Sequence, residues 1–214
     1  MGDRKRRTAL VTVAGVGRVE REPDIARATL TVEATRETAA EARGVAAATA
    51  DAVIAALRAA GIGEGDLRTA SIDVNPAWDH RDGSPVRVGF TVSSRLGVAI
   101  RDLESVGRVI DAALGAGATG LDGVSFGLAD TASASEEARR LAVVDARARA
   151  ATIAKAADAK LGALVDITEG ESGGPSPRPQ GRMMAAMAMS DAPTPVLPGR
   201  VEVSVSVVAT WELG

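Results

Sequence analysis

A chain of 214 residues with no cysteine and a single histidine has no route to disulfides, thiol catalysis or cysteine-based zinc sites. Its formal charge of −3 and pI near 5.3 argue against nucleic-acid binding, which calls for a basic face. The apolar share of 46% is mostly Ala and Val, with two Phe, two Trp and no Tyr; at ~25 cal/mol per Å² each small side chain contributes little, so the core needs many contacts or a partner subunit.

Residues 1–7 end in "RKRR" (Arg4 to Arg7), which reads as a solvated basic tail. The following "TALVTVAGVG" mimics the apolar part of a secretion leader, but "RVEREPD" comes next where a small-residue cleavage pattern belongs. The expectation is therefore no signal peptide and a cytoplasmic location, or a periplasmic or extracellular one if a leader has been removed. No stretch reaches the ~18 consecutive apolar residues of a membrane span.

Residues 8–19 alternate as a strand that ends in Gly15-Val16-Gly17, a bulge or a close approach of two backbones. Residues 25–35 alternate cleanly, with Ala26, Ala28, Leu30 and Val32 on one side and Arg27, Thr29, Thr31 and Glu33 on the other. Thr38 and Glu41 form a capping box for a helix to about Ala60, with a stripe of Ala42, Val45, Ala46, Ala50, Val53, Ile54 and Leu57, and Gly61 as its stop. Strands are expected at 67–78, with Ala70, Ile72 and Val74 inward, and at 86–98, joined through "DHRDGSP" by Asp-Gly hairpin chemistry. Asp102 caps a second helix carrying Leu103, Val106, Val109, Ile110 and Leu114. A fifth strand is expected at 121–128, a third helix opened by Ser133 and Glu136 and running to about Lys160, and a short strand near 163–169. Residues 170–200 hold six of the nine prolines and read as an irregular arm, after which 201–213 alternate as a final strand that must pair with something formed earlier. These elements make an α+β fold of about seven strands and three main helices, in one domain over 8–214 or in two lobes.

The chemistry-bearing patterns are few. Gly115, Gly117 and Gly120 spell G-x-G-x-x-G, but a helix runs into it and a strand leaves it, the reverse of a dinucleotide fingerprint. It reads as a helix C-cap and turn. His80 stands alone in a hairpin loop beside Asp79 and Asp82, with no second histidine to share a metal. Glu136 and Glu137 read as first-turn acids favouring a helix dipole. Trp78 and Trp211 sit at strand ends, as core edge or interface. Met183, Met184, Met187 and Met189 fall within "GRMMAAMAMS". Thioethers select Cu(I) and oxidise reversibly, so a soft-metal or oxidant-reactive site is the alternative reading. The preferred one is adhesion, because Met fills irregular apolar gaps and an exposed apolar stretch calls for a covering surface.

Four stretches in this order resemble the SIMPL domain family: "VTVAGVGRVEREPDIARATLTVEATRETAAEA", "GFTVSSRLGVAIRDLESVGRVIDAALGAGATGLDGVSFGL", "EEARRLAVVDARARAATIAKAADAKLG" and "MAMSDAPTPVLPGRVEVSVSVVATWEL". The resemblance covers roughly residues 9–213. It implies antiparallel strands with long helices, large ring-like or channel-like oligomers in some members, and a role linked to envelope or oxidative stress. It carries no catalytic residues. The expectation is a non-enzymatic homo-oligomer without cofactor, metal or nucleic acid, with Met183, Met184, Met187, Met189 and Trp211 as candidate partner contacts.

Overall fold

The computed structural model describes residues 9–81, 84–170, 173–177 and 197–214. The basic tail at 1–7 and all four clustered methionines lie outside the described residues. In chain order the elements are β1 (Ala9–Arg21), β2 (Ile25–Arg36), α1 (Ala39–Ala59), β3 (Leu67–Arg81), β4 (Ser84–Ile100), α2 (Val106–Gly115), β5 (Gly120–Gly127), α3 (Ala132–Ala156), β6 (Leu161–Glu169), β7 (Gly173–Pro177) and β8 (Val201–Leu213). The class is α+β, with two antiparallel sheets and three helices. β7 is an addition to the seven expected strands, because Gly173–Pro177 pairs with β8 inside the stretch read as irregular. The chain divides into two compact units, one built of β1, α3, β6, β7 and β8 and the other of β2 to β5 with α1 and α2.

In the first unit the final strand finds the first. β8 runs antiparallel to β1 in unbroken register from Ala9↔Leu213 to Arg21↔Val201, and β6 and β7 flank its other side. Alternation decides what faces inward: Val201, Val203, Val205, Val207, Ala209 and Trp211 are all buried. Helix α3 covers them with alanines at every fourth position, from Ala134 to Ala154, all buried. A stripe without bulk lets helix and sheet backbones come close. A Cβ on Gly15 would lie 2.2 Å from the Ala142 carbonyl oxygen, and one on Gly17 would lie 1.8 Å from that of Ala138. The Gly-Val-Gly segment is thus a close approach, and the strand continues through it to Arg21.

The start of α3 differs from the expected capping box. Thr131 is its N-cap, and the Asp130 carboxylate accepts the Ala132 N–H at 2.8 Å. With an acid placed one residue earlier to take a free amide, the helix begins before Ser133. Glu136 and Glu137 then fall beyond the first turn, where Glu137 pairs with Arg21 of β1.

In the second unit the strand order is β3-β4-β2-β5. Thr38 and Glu41 make the reciprocal capping box, with Glu41 N–H donating to Thr38 Oγ1 at 3.2 Å and Thr38 N–H to the Glu41 carboxylate at 3.3 Å. Val53 and Leu57 of α1 and Val106, Val109 and Ile110 of α2 pack with Leu30, Val32, Leu96, Val98 and Ile100 of the sheet. Asp102 accepts from Glu104 N–H at 3.1 Å, capping a short 3-10 turn (Leu103–Ser105) that leads into α2. One expectation is overturned here: Ala70, Ile72 and Val74 of β3 are not buried, with Ile72 at 65% and Val74 at 51% exposure, although Ile72 and Val74 lie opposite Ser94 and Val92 on the helix-bearing face. β3 is an edge strand, and α1 packs on β2 and β4 without covering it.

Candidate interaction surfaces

The G-x-G-x-x-G pattern lies where a helix ends. α2 closes at Gly115, Gly117 takes a φ of +107°, and Gly120 opens β5. No phosphate cradle forms, since the free amides of a helix N-terminus are absent from this turn. His80 sits at the end of β3, opposite Pro85. Among the described residues no group of three or more His, Cys, Asp or Glu side chains comes together in a way that would hold a metal. The open face of the second sheet is polar and internally paired. Arg95 reaches Asp73 at 3.5 Å and Asp122 at 3.6 Å, and the Thr35 and Thr91 hydroxyls meet at 2.7 Å.

Of the expected contact residues, Trp211 is placed inside its own unit. It is 5% exposed, opposite Val11 in the β1–β8 register, and packed with Ala142, Ala146, Ala150 and Val207. Its large ring supplies bulk that the alanine stripe lacks. Trp78 is the contrary case at 60% exposure.

Trp78 belongs to a surface that the alternation of β3 and β4 concealed. β2 pairs with β4 only as far as Arg36↔Phe90, whereas β3 and β4 stay paired out to Arg81↔Ser84. Beyond Phe90 the two strands therefore form a ribbon that no third strand supports. Trp78, Val86 and Val88 are exposed along it, and Ile72 and Val74 continue the apolar surface down the edge strand. Gly89 permits the ribbon to leave the sheet closely, since a Cβ there would lie 2.2 Å from the Arg36 carbonyl oxygen. Pro76 was the available signal, because a proline within a strand pattern marks an edge.

A second surface lies in the first unit. β1 is the outer strand of its sheet, and its free edge is met from α3 at one point, where the Asp145 carboxylate accepts the Val16 N–H at 2.8 Å. Beside that point a groove of about 560 Å³ runs between β1 and α3, lined by Val13, Ala14, Ala148, Arg149, Thr152 and Ile153. Asp145 is held below the ordinary carboxylate range first by the Val16 N–H and then by Arg149, against the opposing effect of burial. A depressed folded-state pKa stabilises above the unfolded value of ~3.9 and loses that contribution as pH falls through the folded value. Asp145→Asn is therefore expected to be less stable than the parent at pH 7, with the difference closing below about pH 4; denaturant unfolding at several pH values checks it. A gap that persists unchanged at low pH would assign the loss to shape and not to charge.

Comparison with known sequences accords with this picture. Residues 11–211 match the SIMPL family, described as a protein of unknown function (DUF541). The chain is 32% identical over 213 residues to the 26 kDa periplasmic immunogenic protein of Brucella abortus (strain S19), covering 96% of this chain and 85% of that protein. It is 28% identical over 178 residues to the protein named uncharacterized protein YggE in Escherichia coli (strain K12), covering 83% and 72% respectively. A protein of the same name in Edwardsiella ictaluri (strain 93-146) is 26% identical over 177 residues, covering 82% and 74%. From Val11 in the first strand to Trp211 in the last the match is continuous, and the chain belongs to the SIMPL family.

Proposed function

We propose that this chain is a non-enzymatic SIMPL protein that works by protein–protein contact, assembling with copies of itself. The observation that carries this is the unsupported β3–β4 ribbon, with Trp78 exposed at its centre and Val86 and Val88 beside it. A two-stranded ribbon is marginally stable alone in water, and an exposed Trp78 in line along β3 with the exposed Val74 and Ile72 calls for a cover. Trp is also the residue type most enriched at the energetic centre of interfaces. The name of the Brucella relative supports a periplasmic setting for this chain, and a link to envelope or oxidative stress follows the family resemblance.

Light scattering during size exclusion tests the reading. The full chain is expected to elute at a mass several times 21.7 kDa. Trp78→Ser is expected to lower that mass while leaving the far-UV circular dichroism unchanged, because the side chain supports no core. A parent chain that stays monomeric at tens of micromolar overturns the proposal.

A further inference from the structure

Two described surfaces of this chain are uncovered and differ in shape: the β3–β4 ribbon projects, and the groove between β1 and α3 recedes. The ribbon is apolar on both faces. Directly opposite residues of an antiparallel pair share a face, so Trp78 lies with Arg87 on one side and Val86 with Asp79 on the other. Trp78 is 60% exposed within its own chain, and Val86 is exposed as well. A flat partner, or a second ribbon laid on the first, would cover one face and leave the other wet. A strand added along the edge is also disfavoured, because Pro76 of β3 has no N–H to give it. What meets both faces of a ribbon is a groove with two walls.

The β1–α3 groove has them. Val13 and Ala14 line one side, and Ala148, Thr152 and Ile153 the other. Its volume of about 560 Å³ falls within the ~300–1,000 Å³ that encloses a drug-sized ligand, room for an indole and a valine side chain together. The charges fit too. Arg149, the charged member of the lining, is paired with Asp145 at 2.9 Å on the α3 side. The ribbon carries Arg87 with Trp78 and Asp79 with Val86. With the Val86 face turned to α3, Asp79 meets Arg149. The Trp78 face then turns to β1 and brings Arg87 towards Asp145, whose carboxylate bonds Val16 of that strand. A carboxylate has about four lone-pair sites, so the Val16 N–H and Arg149 do not exhaust it.

We infer that the β1–α3 groove of one copy receives the Trp78 ribbon of the next. This rests on the self-assembly reading and adds the surface into which the ribbon docks. Because the contact joins two different surfaces, each copy can hold one neighbour and be held by another, so assembly does not stop at two.

The test is complementation between two exposed sites. Ala148→Glu puts a charge into the groove without touching the buried stripe of α3, and Trp78→Ser removes the ring from the ribbon. Each variant alone is expected to elute at 21.7 kDa, since it lacks one half of the contact. Mixed in equal amounts they are expected to form a pair of twice that mass and nothing larger, because one intact ribbon meets one intact groove. Mixing is also expected to shift tryptophan emission to the blue, as Trp211 is already buried and only Trp78 changes its surroundings. An Ala148→Glu chain that keeps the parent mass, while Trp78→Ser loses it, overturns the groove assignment and leaves self-assembly through the ribbon standing. A mixture that stays monomeric with unshifted emission overturns the pairing of the two surfaces. A monomeric parent overturns this inference and the self-assembly reading together. The absence of cysteine allows a second check that adds no charge to either surface. Thr152→Cys and Val86→Cys chains are mixed under mild oxidation, with Thr152→Cys plus Arg108→Cys on α2 as control. The first pair is expected to form covalent dimer about tenfold faster than the control, as docking raises effective concentration. A rate no faster than the control, in a parent that is multimeric, overturns the docking.

Discussion

Gly17→Val is expected to lower the thermal midpoint by roughly 6–12 °C, which corresponds to about 3 kcal/mol for a chain of this size. The reason is the kind of atom in the way. A Cβ at position 17 would sit 1.8 Å from the carbonyl oxygen of Ala138 and 2.6 Å from the amide nitrogen of Ala142. A flexible side chain could turn aside, but these are backbone atoms of α3, fixed by the helix's own hydrogen bonds. To admit even one methyl group α3 would have to lift from β1 and β8, opening its whole alanine stripe. That stripe packs only because it is close, and small side chains lose their contacts over fractions of an ångström. Gly15 is under the same constraint, with a Cβ 2.2 Å from the Ala142 oxygen. Gly44→Ala provides the opposite control. It lies exposed in α1 with nothing within 4 Å of its Cβ position, and the substitution is expected to stabilise by about 0.5–1 kcal/mol by helix propensity. Melting curves by circular dichroism check both. A Gly17→Val chain that melts with the parent would mean that α3 is not seated on β1 as described.

Much of this architecture was legible in the sequence wherever local physics and tertiary packing agree. The Thr38–Glu41 box announces α1 because the two reciprocal hydrogen bonds are satisfied by residues three apart, whatever else the chain does. The alternation of β2 was readable because one face lies under helices and the other does not. The glycines at 115, 117 and 120 were interpretable from the order of helix and strand around them. What alternation does not encode is a strand's place in its sheet. Ile72 and Val74 have the pattern of an inward face, and their side chains do share the face of Ser94 and Val92, but the helices stop short of that edge. Spacing alone also could not tell Asp130 from Ser133 as the residue that starts α3, since both types accept an amide. The β1–α3 groove had no local signal. It arises because a strand near residue 13 and a helix near residue 150 meet, and only β8, pairing back to β1 from the far end of the chain, brings that about.

The two tryptophans separate stability from assembly. Trp211→Ala is expected to destabilise by about 3–5 kcal/mol, a fall in midpoint of roughly 6–20 °C. Its neighbours Ala142, Ala146 and Ala150 have no length with which to fill the hole, and Val11 and Val207 are fixed in the β1–β8 ladder. The cavity would stay largely open, so the cost lies near the upper part of that range. Trp78→Ser removes a side chain of similar size from the exposed ribbon, where no cavity can form, and is expected to change mass in solution with a midpoint nearly unchanged in the monomer. Fluorescence distinguishes the two without perturbing either site further. In Trp211→Phe the remaining Trp78 is expected to emit at long wavelength when dilute and to shift blue as concentration drives assembly. In Trp78→Phe the buried Trp211 is expected to emit blue at every concentration. The reverse result, in which Trp211→Ala dissociates a multimer without lowering the melting point, would move Trp211 from the core of its unit to the contact between copies. The alanine stripe of α3 would then lack a large side chain that now fills the space between helix and sheet.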